Sequence, residues 1–230
     1  MAGVGENPAA VPVPVEDVQG DGRWMCIHDR YVAAAHEKEP DVLFIGDSLI
    51  QLLEQSTIWN EMFVPLHSLN FGIGGDATQH VLWRVQNGEL ENISPKVIVL
   101  LVGTNNHEHT VDQVAGGVEA IVKYISEKQP QSHIVVMGLP PRGQKPNHLR
   151  EKNSAVNVLI AKFLETIPNA DYFSTDADYV QSDGLIDCRD MYDYLHFTVN
   201  GYRKICESLH DNLVELLTKQ GVESCKKIDQ

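Results

Sequence analysis

Short runs of apolar residues alternate with longer amphipathic stripes along this chain, and that alternation constrains its fold most. Residues 41–46, 66–71, 97–102 and 133–137 read as strands, and 172–174 as a short fifth one. An all-apolar run of this length fits a strand buried on both faces. The first four end at Gly46, Gly72, Gly103 and Gly138. Between and around them, apolar residues recur at helical spacing over 24–36, 49–58, 80–87, 111–128, 147–167 and 198–220. Strand and helix in turn call for a mostly parallel sheet of about five strands with helices on both faces, a three-layer α/β/α architecture. The 230 residues suit one such domain, expected over 23–220. Pro8, Pro12 and Pro14 forbid a continuous helix before it, so residues 1–22 are expected as an extended or disordered arm. The polar residues 221–230 are expected as a flexible tail.

Parallel strands send their carboxyl ends to one edge of the sheet, where open α/β folds place their ligand sites. Polar motifs stand at several of these ends. Gly46-Asp47-Ser48-Leu49 follows the first strand, Gly72-Ile73-Gly74-Gly75 the second, and Gly103-Thr104-Asn105 the third. Asp193-Tyr194-Leu195-His196 precedes the last helix. Taken singly, each has a plain structural use: Asp47 or Ser48 as a helix cap, the glycines as a turn, Asn105 as a backbone ligand. Together they supply the parts of acyl transfer. Ser48 can attack, His196 can take its proton, and Asp193 can turn back on the imidazole. The backbone N–H groups of Ser48 and Gly75 and the amide of Asn105 can receive an oxyanion. Ile50 stands where a G-x-S-x-G elbow needs its second glycine, so an α/β-hydrolase nucleophile turn is not supported.

Other chemistries fit less well. A net charge of −14 argues against nucleic acid and against adsorption to anionic membranes. Cys26, Cys188, Cys206 and Cys225 are scattered, with no zinc or disulfide spacing. His107-Glu108-His109 lacks a third ligand at matching spacing, so no metal is expected. Gly72-x-Gly74-Gly75 with Ala77 has part of a dinucleotide fingerprint, but it follows the second strand and no acidic partner ends the next one. No cofactor is expected. The first residues show no charged-then-apolar signal, and no apolar run approaches the roughly 18 residues of a membrane helix. A reduced, cytoplasmic protein without stable membrane insertion is therefore expected.

The four blocks, in order, resemble those of the GDSL/SGNH hydrolase family. Residues 19–24, 69–76, 80–84, 87–92 and 102–107 further resemble one intracellular branch of it, and similarity extends over about 8–218. The resemblance implies a flavodoxin-like SGNH fold, a triad of Ser48, Asp193 and His196, and an oxyanion hole of Ser48, Gly75 and Asn105. It implies a serine esterase that removes the sn-2 acetyl group of platelet-activating factor, giving the lyso lipid and acetate. It also implies a homodimer, or a heterodimer with a related catalytic subunit, able to join a WD40-repeat regulatory subunit, the lissencephaly protein. Leu49, Thr104 and Leu195 lie inside the motifs, where bulk would shorten an acyl pocket. A broader short-chain esterase or thioesterase, or a chain that mainly binds the WD40 partner, are the competing expectations.

Overall fold

The computed structural model describes residues 6–176 and 178–228. Residues 1–5 of the expected arm and 229–230 of the expected tail lie outside them. Strands β1 (Val42–Gly46), β2 (Ser68–Gly72), β3 (Val97–Leu101), β4 (His133–Met137) and β5 (Ala170–Phe173) form one sheet. Its order is β2-β1-β3-β4-β5, and all pairings are parallel. The helices are α1 (Arg23–Glu37), α2 (Ser48–Glu54), α3 (Thr78–Arg84), α4 (Val111–Lys128), α5 (His148–Leu164) and α6 (Val199–Ile228).

Strand order and handedness set the layers. The chain steps one way from β1 to β2 and the other way in every later crossover. Right-handed connections then put α2 on one face and α3, α4 and α5 on the other. Helix α6 joins α2: it packs against residues 59–63 in the β1–β2 connection, and Tyr202 Oη donates to the Leu49 carbonyl at 2.7 Å. Helix α1 sits by α3, with Trp24 and His28 against Trp83. Strands β1 and β3 are buried throughout, as their apolar runs require. Phe44 of β1 meets Trp59 and Phe63 edge-on and is fully buried. Its truncation to Ala would cost about 3–5 kcal/mol.

The apolar stripe over 49–58 does not make one helix. Helix α2 stops at Glu54, and a π-helical turn (Trp59–Phe63) and a 3-10 turn (Val64–Leu66) follow. Ser56 Oγ takes the Ile58 N–H at 3.2 Å, which starts a new segment instead of extending α2. Pro65 then bars any longer helix. Strand β5 begins at Ala170, two positions before its apolar signal, because it pairs along β4 from Ile134. Before α1, Asn7 Nδ2 donates to the Gln113 carbonyl and Thr78 Oγ1 to the Ala9 carbonyl. These bonds hold the segment around Pro8–Ala10 onto α3 and α4.

The strand order reverses between β1 and β3, and a crevice opens outside the carboxyl ends at such a point. A β-carbon on Gly46, at the end of β1, would collide with the Leu101 carbonyl. Glycine there lets β1 and β3 stay close up to the residue before Asp47.

Candidate active site

Asp47 and Ser48 divide the two uses that sequence left open. Asp47 is the N-cap of α2, its Oδ1 accepting the Leu49 N–H at 2.9 Å. Ser48 is the first residue of that helix. It has no carbonyl one turn back for its own N–H. Its Oγ lies 2.9 Å from His196 Nε2. His196 Nδ1 lies 2.6 Å from Asp193 Oδ2, while Asp193 Oδ1 accepts the N–H groups of His196 (2.7 Å) and Leu195 (3.1 Å). One carboxylate thus grips both the ring and the backbone of the same histidine. An ionised carboxylate only accepts, so Nδ1 carries the proton and Nε2 of the neutral ring faces the serine hydroxyl as acceptor. Burial pushes the Asp193 carboxyl up, but the bonds from His196 and Leu195 outweigh it and hold it below its ordinary range.

The loop bearing this pair folds back through Tyr194, which has φ +61°. A non-glycine residue holds that conformation only when its surroundings impose it. Here Tyr194 N–H donates to the Met191 carbonyl, and the Tyr194 carbonyl accepts the Gly143 N–H at 2.7 Å.

Gly75, at φ +85°, ends the turn after β2, and a β-carbon there would meet open space. Asn105, after β3, donates one amide hydrogen to the Asp76 carbonyl at 3.0 Å. That bond fixes the plane of the amide and leaves its second hydrogen uncommitted. Ser48, Gly75 and Asn105 therefore follow β1, β2 and β3 at one edge of the sheet.

Leu49 is buried in the core on α2, and Thr104 is buried after β3. Arg142 Nη1 donates to both the carbonyl and Oγ1 of Thr104 (2.8 and 3.0 Å). Leu195 is half-buried between Asp193 and His196. His107-Glu108-His109 forms turns after β3, and among the described residues no three His, Cys, Asp or Glu groups gather to hold a metal ion.

Sequence reading passed over the residues beneath the site. Arg84 is fully buried and meets three partners. Its Nε donates to Asp76 Oδ2 at 2.8 Å, its Nη1 to Glu89 Oε2 at 2.6 Å, and its Nη2 to the Gly46 carbonyl at 3.1 Å. His28 Nδ1 and Trp24 Nε1 close the cluster on Glu89 and Asp76. Burial drives the Arg84 guanidinium toward losing its proton, and Glu89 and Asp76 more than reverse that, raising its pKa. The available signal was an arginine on the apolar stripe of α3, beside the buried Val81, Leu82 and Val85. Arg142 had no such signal, because it follows a Pro-Pro turn.

A model of the GDSL-like lipase/acylhydrolase family matches residues 44–204, the span that carries these motifs. The chain belongs to that family. It is an ester hydrolase accordingly. It is 58% identical over 219 residues to rat platelet-activating factor acetylhydrolase IB subunit alpha1, covering 95% of this chain and 94% of the relative. It is 59% identical over 211 residues to the human alpha2 subunit, covering 92% of each. The fold is shared with a GDSL-like lipase from Bacteroides thetaiotaomicron (TM-score 0.65, 16% identity, 86% of this chain and 98% of the other). It is also shared with the acetylxylan esterase Axe2 of Geobacillus stearothermophilus (TM-score 0.60, 15% identity, 75% and 93%).

Proposed function

We propose that this chain hydrolyses the sn-2 acetyl ester of platelet-activating factor, with Ser48 as nucleophile. The observation that carries the chemistry is the Ser48–His196–Asp193 hydrogen-bonded chain at 2.9 and 2.6 Å. Ser48 Oγ attacks the acetyl carbonyl as its proton passes to His196 Nε2. Asp193 stabilises the imidazolium that results. The N–H groups of Ser48 and Gly75 and the free amide hydrogen of Asn105 receive the oxyanion. The intermediate collapses, His196 returns the proton to the glycerol oxygen, and the lyso lipid leaves. Water, activated by His196, then releases acetate from Ser48.

The names of the 58–59% identical relatives support the choice of lipid. Leu49, Thr104 and Leu195 limit the acyl chain to a short one in this reading. Those relatives are also named as subunits, which supports assembly into a complex; in this reading the complex is a homodimer or heterodimer of catalytic chains bound to a WD40-repeat regulatory subunit, the lissencephaly protein. Among the described residues, Cys26, Cys188 and Cys206 form no disulfide, as a reducing cytoplasm would leave them.

Hydrolysis of the acetyl ether lipid beside a long-chain control, with a fluorophosphonate label, tests the proposal. Ser48→Ala should lose both label and turnover, by about 10⁴-fold or more. Equal cleavage of acetyl and long acyl chains would replace the acetyl assignment by a broader esterase. Full labelling of Ser48→Ala would remove the serine.

A further inference from the structure

Strand β4 ends at Met137, and the residues after it run as a strap against α5. Side chains of α5 and its N-cap hold the carbonyls of that strap. Asn157 Nδ2 donates to the Leu139 carbonyl (2.9 Å), Asn153 Nδ2 to that of Pro140 (3.0 Å), Asn147 Nδ2 to that of Arg142 (2.8 Å) and Arg150 Nη2 to that of Gly143. Asn157 Oδ1 also accepts the Leu139 N–H at 2.7 Å. Asn147 is the N-cap, and residues 150, 153 and 157 follow at spacings that share one helix face. The strap is thereby fixed along its length, with Arg142 near its end.

Arg142 reaches from this strap to the loop after β3. Its Nη1 donates to both the carbonyl and the hydroxyl of the buried Thr104, at 2.8 and 3.0 Å. That carbonyl belongs to the peptide whose nitrogen is that of Asn105. A peptide is planar, so the bond sets the plane from which Asn105 departs. On the other side of Asn105, Lys152 Nζ of α5 donates to the Asn106 carbonyl at 2.6 Å. The Asn105 amide is itself tied to the Asp76 carbonyl. The next residue of the strap, Gly143, donates its N–H to the Tyr194 carbonyl, in the loop of Asp193 and His196. The strap thus meets both the loop of Asn105 and the loop of the acid–base pair. The half-buried Arg142 guanidinium is drawn by Asp47 and Asp193, against burial, which lowers its pKa. A charged donor makes a hydrogen bond roughly twice as strong as a neutral one, which suits it to hold a loop.

We infer that Arg142 is a positioning residue for ester hydrolysis: it holds Thr104 so that the Asn105 amide meets the developing oxyanion and the Thr104 side chain keeps its place at the acyl pocket. Among the described residues its side chain donates to Thr104 alone, so it acts through that residue and not on the reacting atoms. An oxyanion donor is effective because it is aimed before charge develops, and a displacement of about 1 Å can cost on the order of 10²-fold in rate. The inference rests on the reading in which Asn105 is an oxyanion donor, and adds the residue that aims it.

A double-mutant cycle on the full chain tests it, with the acetyl and butyryl esters of one short ether lipid kept below micelle formation. Asn105→Ala should lower kcat about 10²–10³-fold. Arg142→Met should lower kcat about 10- to 100-fold and move KM by less than about twofold, because the aim of the donor matters in the transition state. In the Asn105→Ala chain the same substitution should lower kcat less than about threefold further, since the donor it aims is gone. Arg142→Met should also reduce the preference for acetyl over butyryl about fivefold, as Thr104 loosens at the pocket. Arg142→Lys should recover part of both losses, because a single nitrogen makes both bonds to Thr104. Where Arg142→Met does not fold, the neutral Arg142→Gln takes its place in the cycle. Losses in kcat that are equal with and without Asn105 overturn the inference and leave the esterase reading intact. A wild-type chain that cleaves neither ester removes both.

Discussion

On one side of Ser48 the chain buries its charges, and on the other it exposes them. Asp76, Arg84 and Glu89 lie fully buried below the turn that carries Gly75, and the Asp76 carbonyl orients Asn105. Arg84 also holds the Gly46 carbonyl, two residues before Ser48. The proposed oxyanion donors Gly75 and Asn105 therefore stand on a floor whose loss would disturb the core. Asp193 and His196 sit instead on a loop with Asp193 side-chain exposure of 44%. Their geometry comes from local means, a carboxylate that binds two backbone N–H groups and a ring three residues away. Burial makes position and stability inseparable, because an unpaired charge in the core cannot be hydrated. A local turn fixes position while water still solvates its charges. The two halves should therefore respond differently to substitution.

Asp193→Asn tests the exposed half most severely. Turnover should fall about 10⁴-fold, because the amide no longer enforces the Nδ1–H tautomer. The urea midpoint should stay close to wild type, since the lost interaction is partly solvated. A large loss of stability would erase the contrast between the halves. Arg84→Met tests the buried half: two carboxylates lose their partner, costing about 3–5 kcal/mol in urea unfolding. A stable variant with normal turnover would mean that the floor is dispensable.

The third effect is a pH dependence at the boundary. Burial raises the Asp47 pKa to about 7, against the Leu49 N–H bond that lowers it. Its Oδ2 is buried without a partner among the described residues. The folded chain then holds this proton over a range where the unfolded chain has lost it. The associated stability is full below about pH 4 and is lost as pH rises through about 7. Asp47→Asn keeps the capping oxygen and should flatten that decline, on the order of 4 kcal/mol, in urea titrations at successive pH values. A decline unchanged in the variant would assign it to other groups. Asp76 is one, its carboxyl also raised by burial against the pull of Arg84.

The amino-acid sequence determined what depends on near neighbours. Buried strands show as short apolar runs, α4 as its stripe over Val111–Lys128, and the Asp193–His196 grip as a spacing of three residues. Motifs after the first three strands and before the last helix led to Ser48, Gly75, Asn105, Asp193 and His196 as one expected cluster, and of these Ser48, His196 and Asp193 are joined by hydrogen bonds. Tertiary structure alone decided the rest. Ser48 and His196 are 148 residues apart, and their 2.9 Å contact depends on α6 packing over β3 and α2. Arg84 stands out in the sequence only as an arginine on an apolar stripe, and the sheet order brought Gly46, Asp76 and Glu89 around it. Arg142 at Thr104 has no local pattern to betray it. Periodicity records which face of an element is buried, but not which distant polar groups are buried with it, and those groups form the floor and flank of this site.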